Sequence, residues 1–361
     1  MSDVRFWRRR RVRRTAAWTV TAAVLAGGLF WVSGGGYDSW RDDRALDSAC
    51  DGDLAAGAVR ELFDGISLTS SGRWSDRRRC TVSASDDDSD IGLALWVGQT
   101  ERMMNLENSG GFDAPLGHGW TGSFRYNPDS ESPDEAAAVL LLSCGKESGH
   151  GRVMTVDANL GRGAFDDPVA RERLVAVLTE TATAYTRRTG CAAPAGERVK
   201  DVGVSTNRRD YKPVASATGS CAGVLDEKTA ARWGVSTVQE ITADPAPLEE
   251  CVLGGLRGAF LYGFTASYGP SARYARMRLD QWQDSAAAAR RGPDALSGSY
   301  ALGARCPGAG GSALFEVDTL GDEDNPKLAA PVVDHRGLRA ALQRFAERSA
   351  KKHGCEAPGA V

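Results

Sequence analysis

Cys50-Asp51-Gly52-Asp53-Leu54 and Cys221-Ala222-Gly223-Val224-Leu225 share the pattern Cys-x-Gly-x-Leu, 171 positions apart. The same offset pairs Cys80 with Cys251, Gly92 with Gly263, Gly98 with Gly269 and Arg102 with Arg273. Farther along, Val156-Asp157 matches Val317-Asp318 at an offset of 161, and Gly190-Cys191-Ala192-Ala193-Pro194 matches Gly354-Cys355-Glu356-Ala357-Pro358. The eight cysteines therefore fall into two sets of four. Cys50, Cys80, Cys144 and Cys191 are separated by 30, 64 and 47 positions; Cys221, Cys251, Cys306 and Cys355 by 30, 55 and 49. The chain reads as a duplication, with an insertion in the first copy around Asn127 to Glu135. Repeats this long are tandem domains, because solenoid periods are much shorter. Matched glycines point to matched tight backbone positions.

The expected organisation is a cytoplasmic basic tail (1–14), a transmembrane helix (15–36), a juxtamembrane linker (37–44), repeat domain 1 (45–194), a linker (195–213) and repeat domain 2 (214–358). Each repeat is long enough to bury a core of its own. From Thr15 to Gly36 no residue is charged, and 22 positions of helix span the roughly 30 Å hydrocarbon core. Trp18, Trp31, Tyr37 and Trp40 fit interfacial anchors, and seven arginines precede the segment. The positive-inside rule then places the N-terminus in the cytoplasm and the repeats outside the cell membrane. A cleaved signal peptide shares this signature and is the alternative, though no Ala-x-Ala site is present. Leu25-Ala26-Gly27-Gly28 resembles a lipobox but lacks its cysteine, so lipidation there is excluded.

Charge narrows the partners. The whole chain carries −3, but residues 1–14 carry +6, which leaves −9 on the remainder. An acidic ectodomain is a poor surface for nucleic acid, and none is expected as a partner. Outside the cytoplasm, an even cysteine count at repeated spacings implies disulfides. Zinc is disfavoured: there is no Cys-x-x-Cys pair, and His118, His150, His335 and His353 do not repeat between copies.

Periodicity gives the elements. In copy one, Asp53 to Phe63 reads as a helix with Asp53 as its N-cap, and Cys80–Ala84 with Ile91–Val97 as a hairpin. Trp120–Tyr126, Ala137–Cys144 and Arg152–Leu160 read as strands. Asp166 to Thr189 reads as a helix with Leu174, Val177, Leu178, Ala182 and Tyr185 inward, acidic at its start, basic at its end and stopped by Gly190. In copy two, Asp226–Trp233, Gln281–Arg291 and Gly337–His353 read as helices, the last with Leu338, Ala341, Leu342 and Phe345 inward. Phe260–Tyr268, Ala275–Leu279, Ser299–Cys306 and Ala313–Leu320 read as strands. The expected fold class is α+β: two tandem copies of one domain, each a mostly antiparallel sheet packed by helices on one face, joined by the Ala195–Ser220 region.

A cysteine just before a short helix, followed about 30 residues later by a cysteine opening a hairpin, resembles actinobacterial cell-envelope lipoproteins and sensor-type domains of unknown function. Cys50 to Val97 carries the resemblance and Cys221 to Tyr268 carries it more weakly, over about a third of each copy. It implies a bond between the first two cysteines and brings no activity. Four cysteines allow three connectivities. The near-constant intervals favour Cys50–Cys80, Cys144–Cys191, Cys221–Cys251 and Cys306–Cys355.

Chemical motifs are weak. Gly117-His118-Gly119-Trp120-Thr121-Gly122 matches the dinucleotide fingerprint formally, but a strand-like segment follows it where a helix is required, so a glycine-rich turn is expected. Asp86, Asp88 and Asp90 alternate like calcium ligands, but Ile91 and Val97 stand where glycine and glutamate are needed, so a solvated loop is expected. No Gly-x-Ser-x-Gly, His-Glu-x-x-His or Walker A motif occurs. Trp74, Trp96, Trp120, Trp233 and Trp282 read as core residues or, alternatively, cleft walls. The expectation is a membrane-anchored binding or interaction module with no catalytic residue, cofactor or metal. Its partners would be an envelope protein, peptide or wall ligand, and the lipid bilayer through residues 15–36. The alternative is an envelope hydrolase with an unrecognised site.

Overall fold

The computed structural model describes residues 44–71, 73–74, 78–85, 90–98, 112–128, 133–144, 151–192, 196–207, 210–256, 259–288, 300–308, 311–320 and 334–361, with the side chains of 281–288 left out. The expected tail and transmembrane helix, most of the juxtamembrane linker, Asp86, Asp88 and His150 lie outside these residues. Among the described residues, no helix is long and apolar enough to cross a membrane.

The first copy begins with a 3-10 turn at Ala49–Gly52 and helix α1 at Ala56–Leu62. Strands β1 (Leu68–Ser70), β2 (Arg79–Ala84), β3 (Gly92–Gly98), β4 (Ala114–Pro115), β5 (Gly122–Arg125), β6 (Glu135–Leu142) and β7 (Arg152–Asn159) follow, and helix α2 (Pro168–Thr189) closes it. The second copy contains β8 (Lys212–Pro213), α3 (Glu227–Arg232), β9 (Thr237–Glu240), β10 (Leu248–Gly254) and β11 (Phe260–Tyr268). Then come α4 (Pro270–Ala288), β12 (Tyr300–Arg305), β13 (Ser312–Thr319), α5 (His335–Lys352) and β14 (Gly359–Ala360). Each copy forms one seven-stranded sheet, ordered β1-β2-β3-β7-β6-β5-β4 and β14-β12-β13-β11-β10-β9-β8. Every pairing within them is antiparallel.

Register shows the duplication in three dimensions. Cys80 faces Leu95, which faces Val156, while Cys251 faces Phe264, which faces Val317. Val156 and Val317 thus hold equivalent places. Leu95 and Phe264 are 169 apart where Cys80 and Cys251 are 171 apart, so the second hairpin is two residues shorter. The glycine matches at 171 inside the hairpin are therefore coincidental: the place of Gly92 is taken by Leu261. The glycines that do correspond are constrained. Gly52 and Gly223 in the Cys-x-Gly turn have φ of 80° and 66°, and Gly190 and Gly354 after the closing helices have 69° and 66°. These are left-handed conformations in which a Cβ is strained.

All four expected disulfides are present: Cys50–Cys80, Cys144–Cys191, Cys221–Cys251 and Cys306–Cys355. The first bond of each copy ties the opening turn to the first strand of the hairpin, β2 or β10, and the second ties an inner strand's end to the stop of the closing helix. Closing a 30-residue loop stabilises by roughly 3–4 kcal/mol through unfolded-state entropy.

The closing helices bury the stripes read from their periodicity. Leu174, Val177, Leu178, Ala182 and Tyr185 are buried against sheet one, and Leu338, Ala341, Leu342 and Phe345 against sheet two. Asp167 caps α2 by accepting from the Val169 N–H, and Asp226 caps α3 from Thr229. Asp53 does not cap α1, whose N-cap is Ala55. Its carboxylate turns inward instead.

Three further expectations are corrected. Ala275–Leu279 is not a strand but lies in α4, which Pro270 opens at its first position. The alternation of Ala275, Met277 and Leu279 imitated a strand, whereas the stripe that packs is Ala272 and Ala275, against Leu314. Helix α4 therefore covers the face of sheet two opposite α5, so the second copy carries helices on both faces. The region expected as a linker is docked: Val199 and Val202 belong to the first core, Arg171 Nε donates to the Val202 carbonyl, and Ser205 N–H bonds the Tyr126 carbonyl. Pro213 lies in β8, paired with Thr237.

The copies also share apolar packing. Strand β6 turns Ala138, Leu140 and Leu142 toward α2, while Val139 and Leu141, with Val153 of β7, join the core cluster of the second copy. A strand buried on both faces explains the unbroken apolar run Ala136–Leu142.

Candidate binding groove and the buried carboxylates

The groove lies on the outer face of sheet two, where the copies meet. Phe112, bridged to Thr206, packs with Ile241, Ala246 and Val252. The Gln239 amide donates to the Asn207 carbonyl at 2.6 Å, and Thr206 Oγ1 to the Glu240 carbonyl at 3.4 Å. Strand alternation does the rest. Val238 in β9 and Cys251 and Leu253 in β10 point into the core, which leaves Thr237, Gln239, Val252 and Gly254 outward. With Tyr211 and Phe260 they line a shallow surface groove that encloses no cavity. A register shift at Leu253/Gly254 brings Phe260 opposite Gly254. A Cβ at Gly254 would meet Thr237 Oγ1 at 2.6 Å, so glycine keeps the floor low. Tyr211 is 43% exposed, and Leu256, between β10 and β11, is 81% exposed.

Beneath this face Glu240 is buried. Lys212 Nζ lies 2.6 Å from it, and the backbone N–H groups of Thr218 and Cys221 donate at 2.8 and 2.9 Å. Burial pushes the carboxyl up, but Lys212 and these amides outweigh it and hold it below the ordinary range.

A serine, a histidine and an acid do meet in the second copy, in an arrangement unsuited to nucleophilic catalysis. Glu249 is 1% exposed and accepts from Ser349 Oγ at 2.6 Å, with His353 Nε2 at 2.7 Å and Lys352 Nζ at 2.8 Å. The Tyr268 hydroxyl bonds Ser349 Oγ at 2.5 Å, and its ring stacks on His353 at 3.5 Å. A triad needs the histidine between serine and acid. Here the acid lies at the centre, and Ser349 is itself buried. Burial raises the Glu249 carboxyl, but the His353 hydrogen bond and the nearby cations prevail and lower it below its ordinary value. The cluster is a structural anchor between α5 and β10.

In the first copy Asp53 has the comparable role. It is 3% exposed and accepts from Arg188 Nε at 2.9 Å and Trp74 Nε1 at 2.9 Å. The Arg188 guanidinium is pushed up by that bond. Nothing in the local sequence signalled either cluster, because the ion pairs that define them join residues 100 or more positions apart.

The remaining motifs are structural. Gly117, His118 and Gly119 all have positive φ and form the turn from β4 to β5, with no helix after it. Asp90 is exposed, and among the described residues no group of three His, Cys, Asp or Glu side chains could hold a metal. Trp120 and Trp233 are buried, Trp74 packs edge-on against Tyr185, Trp96 lies under the Arg79 guanidinium, and the side chain of Trp282 is not described. None of these described tryptophans lines the groove, whose aromatic walls are Tyr211 and Phe260.

No protein-family model matches the chain, and no curated protein matches it. Among solved structures, the crystal structure of DynU16, from the dynemicin biosynthetic locus, aligns over 86% of this chain and 91% of its own at 12% identity. Its TM-score is 0.12, too low for the fold to be shared on that basis. The eight cysteines are all paired, which fits an oxidising, extracellular compartment.

Proposed function

We propose that the chain is an extracytoplasmic binding module of the cell envelope, held at the membrane by residues 15–36, with its ligand on the groove of sheet two. The observation that carries this reading is the presence of Tyr211 and Phe260 in one surface groove with the polar Thr237 and Gln239, Tyr211 being exposed. Aromatic and polar side chains side by side on an open face suit surface contact with a wall fragment, peptide or envelope partner. The actinobacterial envelope resemblance of Cys50 to Val97 supports the same setting. The envelope hydrolase is less favoured because the Ser349–Glu249–His353 cluster is buried and centred on its acid.

The test is calorimetric titration of the full chain with soluble wall glycan-peptide fragments. Saturable binding is expected, weakened at least tenfold in Tyr211→Ala and Phe260→Ala, with fragments recovered intact. Absence of binding, or equal binding by both variants, overturns the reading. Cleavage of the fragments by the purified chain would establish the hydrolase instead.

A further inference from the structure

Helix α5 carries six arginines and lysines against one acid, Glu347, a charge of +5 over 18 residues. The chain beyond residue 14 is net acidic. The duplication supplies an internal control. The counterpart α2, which closes the first copy, has four arginines against Glu172 and Glu180 over 22 residues. The fold of one copy therefore does not require the excess.

Two of the six cations are used inside the second copy. Lys352 Nζ meets Glu249 at 2.8 Å, and Arg344 donates to the Val224 carbonyl at 2.8 and 3.0 Å. The other four, Arg336, Arg339, Arg348 and Lys351, are exposed, and among the described residues none of them forms a salt bridge. Glu347 accepts from Gln343 at 2.9 Å instead, and the N-cap Asp334 is paired with Arg232. Helix physics does not account for the four. Arg336 lies in the first turn, where the helix dipole disfavours a cation, and like charges three residues apart repel each other. The dipole favours Lys351 alone, in the last turn.

The four form two pairs, Arg336 with Arg339 and Arg348 with Lys351, whose midpoints are about 18 Å apart along the helix axis. Three of the four are arginines, whose planar fork matches phosphate oxygens. Arg339 lies 4.6 Å over the Tyr300 ring, which steadies its guanidinium at the surface. Between the pairs stand Ala340, Gln343 and Glu347, with no large apolar residue to enter a bilayer. Cations spread along an axis, rather than converging on a point, suit an extended anionic chain rather than a single ion.

We propose that the exposed side of α5 docks a linear, phosphate-bearing polymer of the cell envelope. The inference shares the envelope setting of the binding-module reading but not its groove, so Tyr211→Ala should leave this docking intact and the two can fail separately.

The test is footprinting of the full chain in neutral phosphatidylcholine nanodiscs, with phenylglyoxal for arginine and acetic anhydride for lysine, against increasing sodium polyphosphate. Labelling is read peptide by peptide, so the arginines of residues 1–14 do not interfere. Labelling of Arg336, Arg339, Arg348 and Lys351 is expected to slow at least threefold and to saturate, while the exposed Arg162 and Arg187 of the first copy keep their rates. In Arg336→Gln/Arg348→Gln, protection of Arg339 and Lys351 should need at least tenfold more polyphosphate. Arg162→Gln/Arg187→Gln, with the same change in net charge, should behave like wild type. No saturable protection of α5, or equal protection of Arg162 and Arg187, overturns the assignment. Protection by phosphatidylglycerol vesicles at a lower phosphate concentration than by polyphosphate overturns the polymer in favour of a membrane surface.

Discussion

Replacing Glu249 by glutamine removes one charge from the most deeply buried ionic cluster of the second copy. The wild-type carboxylate meets three groups within 2.8 Å: Ser349, His353 and Lys352. In Glu249→Gln the Lys352 side chain, 20% exposed, loses its counter-charge, and the buried His353 ring loses its carboxylate partner. Removing one partner of a buried pair costs about 3–5 kcal/mol. A domain of this size loses roughly 2–4 °C of Tm per kcal/mol, so the second copy should melt about 6–20 °C lower by calorimetry at pH 7. The pH dependence has a definite sign. Glu249 is lowered from its ordinary 4.5, so its contribution is complete above that value and disappears as pH falls through the folded pKa. The gap between wild type and variant should narrow below pH 4.5. A variant melting within 2 °C of wild type at pH 7, or a gap that widens on acidification, refutes the assignment of Glu249 as the anchor.

Other expectations follow from the same contacts. Replacing Cys50 and Cys80 together by alanine should lower unfolding stability by roughly 3–4 kcal/mol in urea, the entropy of one 30-residue loop. Leu178→Ala, at a fully buried position of α2, should cost about 2–5 kcal/mol in the first copy's transition. Leu141→Asp places a charge where the first sheet meets the second copy's core; it should separate the two melting transitions and speed proteolysis between residues 207 and 212. Gly223→Ala, at φ 66° and with its Cβ 2.7 Å from Arg348 Nη1, should cost about 1–2 kcal/mol of stability, read as a shift of the urea midpoint.

The duplication, the disulfide pairing and the two closing helices were legible in the sequence because each is set by local chemistry. A 3.6-residue stripe such as Leu174, Val177 and Leu178 must face a core whatever that core contains, and cysteines at repeated intervals imply repeated geometry. The Cys-x-Gly turn is likewise local, since its glycine answers to a backbone angle. Helix α4 was misread because five residues of alternation satisfy strand and helix alike, and the face of sheet two it covers is known only once the sheet exists. Asp53 illustrates the same limit: its neighbours fit a cap, but an arginine 135 positions away claims its carboxylate. The two-sided burial of β6, the anchoring of Glu249 and the groove lined by Tyr211 and Phe260 were all decided by tertiary structure. Each joins side chains from different strands, helices or copies, and periodicity along one segment carries no information about what another segment brings to it.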